Sequence, residues 1–248
     1  GDGKALQSGT SHNLGQNFAK AFDIQYLDEN NTLQYCWTTS WGLSTRFIGA
    51  IIMTHGDDQG LVLPPRLAPI QVVIVPIFRK DDEKDQVMAV VEQVKKELNR
   101  FRVKVDDRTE VTPGFKFNEW ELRGVPLRLE IGPKDIANHT VALSRRDILG
   151  RDGKSFVPQD GIALTVDKML KTIQANMLVK ATEFRDSNIY EPDDYENFKK
   201  VIASDGWCYV WWKPNAENEA RIKEETKATL RCIPLDQTGN KGHCIFSG

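Results

Sequence analysis

The sequence predicts an α/β protein, α+β over its whole length, and three observations carry the prediction. A short, almost wholly apolar run at residues 70–77 is bounded by prolines. An amphipathic helical pattern follows it, and further short apolar runs come after that. Strand–helix alternation of this kind predicts a sheet with covering helices. The composition, with 40% hydrophobic and 27% charged residues, is typical of a folded globular chain.

Changes in composition divide the 248 residues into three predicted domains, 1–67, 68–185 and 186–248. The first is rich in Gly, Ser, Thr and His and ends just after the pair Pro64-Pro65. A polar stretch at residues 187–194 is the predicted linker to the third.

The middle domain is predicted to begin with a strand that is buried on both faces, because residues 70–77 are short, apolar and β-branched. A helix at 84–100 follows, in which Val87, Val91 and Val94 lie on one stripe. The other predicted elements of this domain are strands at 101–105, 125–131 and 140–144 and helices at 117–122 and 161–184.

The third domain is predicted to contain two helices and two strands. In chain order they are a helix at 194–203, a strand at 206–212, a helix at 217–227 and a strand at 228–235.

Charge and composition exclude some classes of function. A formal net charge of -2 excludes bulk polycationic binding, so contacts with nucleic acid must come from local clusters. No apolar run is long enough to cross a bilayer, and residues 1–10 lack the pattern of a secretory signal. The four cysteines show no disulfide spacing, so we expect reduced thiols and a cytoplasmic location.

Polar side chains crowd residues 7–18, Gln-Ser-Gly-Thr-Ser-His-Asn-Leu-Gly-Gln-Asn-Phe. The pattern predicts the end of a strand before a helix, where hydroxyl, amide and imidazole groups can converge on a small anionic ligand. A plain helix cap by Thr10 or Ser11 explains the same residues.

Two further motifs follow. In residues 39–50, Gly42 permits a tight turn, and a helix predicted from Leu43 places Arg46 one turn in, where it can reach a phosphate or stack on a base. In residues 55–69, the pair Asp57 and Asp58 suits metal or general-base chemistry, or simply a turn before a glycine.

Together, the runs TSHNLGQNF, TSWGLSTR and HGDDQGLVLPPRLAPIQVVIVPI resemble the prolyl-tRNA synthetases of the archaeal and eukaryotic-like type. ELRGVPLRLEIGPKD and the following SRRD resemble the anticodon-binding domain of that family. The resemblance implies the end of a class II antiparallel catalytic sheet, then a mixed-sheet anticodon-binding domain and a small α/β C-terminal domain. It implies an ATP-dependent and Mg²⁺-dependent proline–tRNA ligase that forms prolyl-adenylate, binds tRNA(Pro) and is a homodimer at full length.

The resemblance also assigns ligand contacts in the first domain. The implied ATP contacts are Gln7, Thr10, Ser44 and Arg46, with Gln7 also near Mg²⁺. The implied proline contacts are His12, Ser40, Trp41 and Gly42. No side chain need act as nucleophile or base, because the proline carboxylate attacks the α-phosphate of ATP. The resemblance places motifs 1 and 2 of the family before Gly1, so we expect this chain alone to be inactive in adenylate formation.

Charged residues of the middle domain fall on the family's anticodon-binding motifs. They mix donors and acceptors that suit guanine edges and phosphates, although a solvated charged face explains each of them singly. They are Glu121, Arg123, Arg128, Lys134, Asp135, Arg145 and Arg146.

The family's terminal domain often binds zinc through four cysteines, the last two closely spaced. Here Cys208, Cys232 and Cys244 remain, Ser247 follows Cys244 by three positions, and His243 offers a fourth ligand type. The long intervals between the cysteines lack a close ligand pair, so we expect no bound zinc.

Two alternatives stay open. Another class II synthetase with this type of anticodon-binding domain, for threonine, histidine or glycine, is disfavoured by TSHNLGQNF and GDDQGLVLPP. The other is a non-catalytic, synthetase-like RNA-binding or regulatory module. An intact motif 2 arginine would distinguish the enzyme from the module.

Overall fold

The structure, a computed structural model, describes residues 6–235 and 241–248. Contacts divide the described residues into two units, one of residues 6–177 and the other of residues 178–235 and 241–248. The predicted domain boundaries near residues 67 and 185 rest on composition and stay a prediction.

The first unit begins with two small antiparallel sheets. In chain order its elements are β1 (Gly9–Gly15), α1 (Asn17–Ala21), β2 (Gln25–Leu27), β3 (Leu33–Tyr35), β4 (Thr38–Leu43) and α2 (Arg46–His55). β1 pairs with β4, and β2 pairs with β3. The Asp28 carboxylate accepts hydrogen bonds from the N–H groups of Asn30 and Thr32 and so holds the turn between β2 and β3.

Two local predictions for this part are wrong. Thr10 and Ser11 cap no helix, because both lie inside β1 and α1 begins only after Gln16. The helix predicted from Leu43 begins at Arg46 instead, because Leu43 is still paired with Gly9 across the sheet.

A five-stranded mixed sheet follows, as predicted for the middle domain. The strands of this sheet and the helices between and after them are, in chain order, β5 (Val72–Pro76), α3 (Asp81–Glu97), β6 (Val103–Val105), α4 (Pro113–Leu122), β7 (Leu127–Ile131), α5 (Pro133–Ala137), β8 (Thr140–Arg145), a 3₁₀ helix (Gly150–Gly153), β9 (Lys154–Pro158) and α6 (Ile162–Ser187). The spatial strand order is β6-β5-β7-β8-β9. β5 is parallel to β6 and β7, whereas β8 is antiparallel to β7 and β9.

β5 lies at the centre of the core and is buried on both faces, as predicted. Val72 and Ile74 pack in a cluster with the apolar stripes of α3 and α6. Val73 and Val75 pack on the other side with Trp120 of α4 and with Val125. The near-continuous apolar character of β5 follows from helices covering both faces of the sheet.

The sequence prediction missed parts of this unit. α4 begins at Pro113, four residues before the predicted start, because the Thr112 hydroxyl accepts a hydrogen bond from the N–H of Phe115 and proline suits the first helical position. α5 and β9 were not predicted. Each has only five residues, too few for a clear periodic pattern.

The second unit contains β10 (Ile189–Tyr190), α7 (Tyr195–Ala203), β11 (Trp207–Cys208) and α8 (Ala216–Thr226). β10 pairs in parallel with β11. Asp194 and Asn215 cap the two helices. The Tyr195 ring meets the Phe246 ring edge-on at 5.0 Å.

Both predicted helices of this unit are confirmed, but its strands are not. The strand predicted at 206–212 is limited to Trp207–Cys208, and the predicted linker at 187–194 contains β10. Residues 228–235 form no strand. The large apolar side chains of this segment, among them Ile233 and Leu235, are exposed. Within the described residues, the segment is not paired with any strand.

All four cysteines are free thiols. Across residues 6–235 and 241–248, no helix has both the length and the apolar composition to cross a membrane.

We predict that Leu129→Ala lowers the free energy of unfolding by about 2–5 kcal/mol, because Leu129 of β7 is fully buried and truncation leaves a cavity. The matched control is Leu164→Ala, since Leu164 of α6 is 73% exposed. Urea unfolding followed by circular dichroism measures both. Equal effects of the two substitutions would contradict the described core.

Candidate functional site

The pairing of β1 with β4 places several predicted residues on one face. Thr10 lies opposite Gly42, and His12 lies opposite Ser40. Directly opposed residues of antiparallel strands project to the same side of the sheet. Trp41, between Ser40 and Gly42 in β4, therefore projects to the other side, where it is 84% exposed. The cavity recorded beside these strands is lined by Gly9, Thr10, Ser11, Trp41, Gly42 and Leu43, so its lining includes Trp41 but not His12 or Ser40.

Gly42 keeps this face open. A Cβ added at Gly42 would lie 3.1 Å from the Thr10 Oγ1, so a side chain there would crowd the hydroxyl. Glycine at this position lets a ligand approach the strand backbone beside Thr10.

The start of α2 lies close to the start of β1. The Arg46 Nη1 is 3.5 Å from the carbonyl oxygen of Gln7, and the Ser44 Oγ is 3.4 Å from the Arg46 N–H nitrogen. α2 has no acidic residue in its first turn. Within the first turn, therefore, no carboxylate offsets the positive end of the helix dipole or the Arg46 guanidinium, and the residues fit an anionic group such as the phosphates of ATP.

A cavity of about 240 Å³ lies between α4 and strands β7 and β8. Val73, Trp120 and Val125 supply apolar surface, and Glu121 supplies an acceptor. The basic side chains that line it are Arg128, Arg145, Arg146, Arg151 and Lys154.

Buried carboxylates position two of these cations. Arg128 donates to Glu121 at 2.6 Å and to Glu130 at 3.1 Å, and its guanidinium lies 4.2 Å from the centre of the Phe117 ring. Glu130 is only 3% exposed and also accepts from the Lys154 Nζ at 2.7 Å. Lys154, Glu130, Arg128 and Glu121 therefore form one connected chain along the cavity.

Arg146 is the most buried of the cations that line the cavity. Its side chain is 2% exposed, and its two Nη atoms donate to both Asp57 oxygens at 2.6 and 2.7 Å. Its Nε donates to the carbonyl oxygen of Glu121 at 2.9 Å. The hydrogen bonds from Arg146 lower the pKa of the Asp57 carboxyl. Three of the five N–H donors of the Arg146 side chain are thus engaged within the chain, and its guanidinium is buried.

The other predicted anticodon residues differ in their surroundings. Arg145 forms a bidentate ion pair with Asp147, in which its Nε donates at 3.0 Å and its Nη2 at 2.7 Å. Arg123 is exposed and donates to Glu119 at 2.6 Å. Lys134 is exposed at the start of α5, and Asp135 accepts from the Gly132 N–H at 2.9 Å. Arg123, Lys134 and Asp135 lie outside the lining of the cavity.

Sequence reasoning missed a buried aspartate that holds Trp120, one of the side chains lining the cavity. Asp106, 2% exposed, accepts from the Trp120 Nε1 at 2.7 Å and from the Arg108 Nε at 2.8 Å. The hydrogen bond from Arg108 is the main cause that lowers the pKa of Asp106 to about 2. The available signal was an aspartate directly after the predicted strand at 101–105.

Arg151 and Lys154, which also line the cavity, were missed as well. Their run, Arg-Asp-Gly-Lys, follows the predicted strand at 140–144 and has the composition of an ordinary turn.

Within the described residues, no group of three or more His, Cys, Asp or Glu is placed to hold a metal ion. Burial acts to raise the pKa of the Cys244 thiol, but hydrogen bonds from the Ser247 hydroxyl and from backbone N–H groups lower it to about 7. The absence of zinc, and the proximity of Gln7 to Mg²⁺, stay predictions.

Two family models match the chain. The model described as "Anticodon binding domain" matches residues 71–176, which include the cavity lining around α4, β7, β8 and β9. The model described as "Prolyl-tRNA synthetase, C-terminal" matches residues 195–248.

Curated relatives and a solved structure extend the similarity to the first residues. A proline–tRNA ligase of Chloroflexus aurantiacus is 56% identical over 248 residues, which are 100% of this chain and 52% of the relative. A chloroplastic/mitochondrial proline–tRNA ligase of Arabidopsis thaliana is 51% identical over 253 aligned positions, covering 100% of this chain and 47% of the relative. The crystal structure of prolyl-tRNA synthetase from Cryptosporidium parvum complexed with L-proline and AMP is 39% identical, with a TM-score of 0.88, over 98% of this chain and 52% of that one. The chain spans about half the length of the curated relatives it matches.

We predict a pH-dependent effect of Asp106→Asn. A lowered folded-state pKa means that the Asp106 carboxylate stabilises the fold above its unfolded pKa of 3.8 and loses this stabilisation as the pH falls to about 2. The substitution should lower the free energy of unfolding by on the order of 2 kcal/mol at neutral pH.

Urea unfolding at a series of pH values, followed by tryptophan fluorescence, measures this effect. The difference between Asp106→Asn and wild type should shrink between pH 3.8 and about 2. Asp107→Asn, at the exposed neighbour, is the control and should change little. A difference that does not depend on pH would contradict the described role of the Asp106 carboxylate.

Proposed function

The chain belongs to the prolyl-tRNA synthetase family, and we propose that it supplies the anticodon-binding surface and part of the active site of a proline–tRNA ligase. The observation that carries the proposal is the 56% identity to a proline–tRNA ligase over all 248 residues. That identity spans both the β1–β4 face and the cavity beside α4. We propose, with the family, a cytoplasmic location and a homodimer for the complete enzyme.

On the β1–β4 face, we propose that the chain binds ATP and proline. Gln7, Thr10, Ser44 and Arg46 are the proposed ATP contacts, with Mg²⁺ near Gln7. His12, Ser40, Trp41 and Gly42 are the proposed proline contacts. Trp41 and Gly42 line the recorded cavity, and His12 and Ser40 are paired across the strands beside it. The L-proline and AMP of the Cryptosporidium parvum structure support this pair of ligands.

The chemical contribution of these residues is positioning and charge. The proline carboxylate attacks the α-phosphate of ATP, and the new bond of prolyl-adenylate forms as the bond to the leaving pyrophosphate breaks. Arg46 and the N-terminus of α2 stabilise negative charge on that phosphate, and Gly42 leaves room for the ligand beside Thr10. Electrostatic stabilisation of this kind needs no side chain as nucleophile.

In the cavity, we propose that a guanine of the proline anticodon is bound through its edge. Proline anticodons share two adjacent guanines, and sequence-specific RNA recognition targets unstacked loop bases. The Glu121 carboxylate can accept from guanine N1 and N2, while its pair with Arg128 fixes its orientation. A volume of about 240 Å³ is below the roughly 300–1,000 Å³ of drug-sized ligand pockets and suits a single base.

Arg123, Lys134 and Asp135 lie outside this cavity, and we propose that they contact the nucleotides on either side. Arg145 and Arg146 support the cavity through their carboxylate pairs, because most of their donors are engaged.

We predict that Glu121→Gln lowers the discrimination between proline tRNA and a tRNA with the two anticodon guanines replaced. The amide cannot accept from both guanine N1 and N2, so discrimination should fall by about 1–3 kcal/mol. The control is Glu119→Gln on the same helix, since Glu119 is paired with Arg108 and Arg123 and does not line the cavity.

Fluorescence anisotropy with the two RNAs at one fixed salt concentration measures the ratio of affinities. The wild type should prefer proline tRNA, and Glu119→Gln should keep that preference. Equal affinity of the wild type for both RNAs would contradict the anticodon-binding role and would favour a general RNA-binding module.

A further inference from the structure

The basic residues that line the cavity are not equivalent. Arg128, Arg145, Arg146 and Lys154 each have a carboxylate oxygen 2.6–2.7 Å from a side-chain nitrogen. Their charges are therefore largely balanced before any ligand arrives, and each is fixed in orientation by its partner.

Arg151 is the exception among them. It lies in the 3₁₀ helix (Gly150–Gly153), is exposed, and lines the cavity. Its guanidinium has no carboxylate partner and no hydrogen bond within residues 6–235 and 241–248. Among the basic residues that line the cavity, it is therefore the one whose charge is not already balanced.

The backbone holds this residue in place. Gly150 has a positive φ of 72°, and a Cβ at Gly153 would lie 2.5 Å from the carbonyl oxygen of Ile148. Gly150 therefore adopts a backbone conformation that favours glycine, and Gly153 leaves no room for a side chain, so the two glycines set the path of the turn that carries Arg151.

Balanced and unbalanced cations respond differently to a phosphate. A paired arginine must give up or share its carboxylate before it gains a phosphate contact, and removal of one partner from a buried pair is costly. An unpaired guanidinium pays no such cost, and its planar donors match two phosphate oxygens. A phosphate at the cavity should therefore be bound first by Arg151.

We propose that Arg151 binds the backbone phosphate of the nucleotide whose base occupies the cavity, while the paired cations shape the site for the base. This inference rests on the proposed function, because it takes the ligand of the cavity to be an anticodon nucleotide. Phosphate contacts position RNA without specifying sequence, so Arg151 contributes affinity and not discrimination.

The test is the salt dependence of tRNA binding by the full 248-residue chain. Each phosphate that a protein cation neutralises on a single strand contributes about -0.7 to the slope of log K against log salt concentration. Arg151→Ala should make the slope for proline tRNA less negative by about 0.7, with the preference over the guanine-replaced tRNA unchanged. Arg151→Lys keeps the charge and should keep the slope.

Lys104→Ala is the matched control for loss of one positive charge. Lys104 is exposed on β6, at the edge of the sheet opposite β9, and should leave the slope unchanged. Anisotropy titrations at four or more salt concentrations, with both tRNAs, give the slopes and the preference together.

The outcomes separate this inference from the proposed function. A wild-type preference for proline tRNA with an unchanged Arg151→Ala slope overturns the inference alone. An equal slope change in Lys104→Ala, or a loss of preference without a slope change in Arg151→Ala, also overturns it. Equal binding of both tRNAs by the wild type overturns the proposed function, and the inference with it.

Discussion

The ion pair between the buried Arg146 and the partly exposed Asp57 is the interaction on which the rest of the first unit depends. Both Nη atoms of Arg146 reach the Asp57 carboxylate, and its Nε reaches the carbonyl oxygen of Glu121 at the end of α4. Backbone hydrogen bonds from Leu61 to Leu122 and from Leu63 to Gly124 extend the same junction. The segment that follows α2 is thereby fixed against the mixed sheet. Loss of Asp57 would leave the Arg146 guanidinium buried without its carboxylate, and removal of one partner from a buried pair typically costs about 3–5 kcal/mol.

The same junction lies between the two candidate binding surfaces, the β1–β4 face and the cavity beside α4. Arg46 begins α2 and Asp57 follows its end, so one helix of ten residues, about 15 Å long, lies between the proposed phosphate contact and the ion pair. On the other side of the pair, the backbone carbonyl oxygen of Glu121 accepts a hydrogen bond from Arg146, and Glu121 also lines the cavity.

Around that cavity, carboxylates fix the orientation of most of the basic side chains. Buried pairs of this kind contribute geometry more than net stability.

The sequence predicted features that depend on local pattern. β5 and α3 follow from short-range periodicity, and the family follows from contiguous motifs. Features that depend on distant partners were not accessible. Nothing near Arg146 in the sequence indicates Asp57 as its partner, and the face of Trp41 is decided only by the register of β4 against β1. Residues 228–235 have the apolar content of a strand but form none, because a strand also needs a neighbour.

The Arg146–Asp57 pair joins the segment that follows α2 to the mixed sheet as one interaction. A double-mutant cycle with Asp57→Asn, Arg146→Gln and the double variant, measured by urea unfolding, tests it most directly. We expect each single substitution to be destabilising and the double variant to be little worse than the worse single one, with a coupling free energy of about 0.5–3 kcal/mol. Effects that add within about 0.3–0.5 kcal/mol would contradict the claim, since independent sites behave in that way.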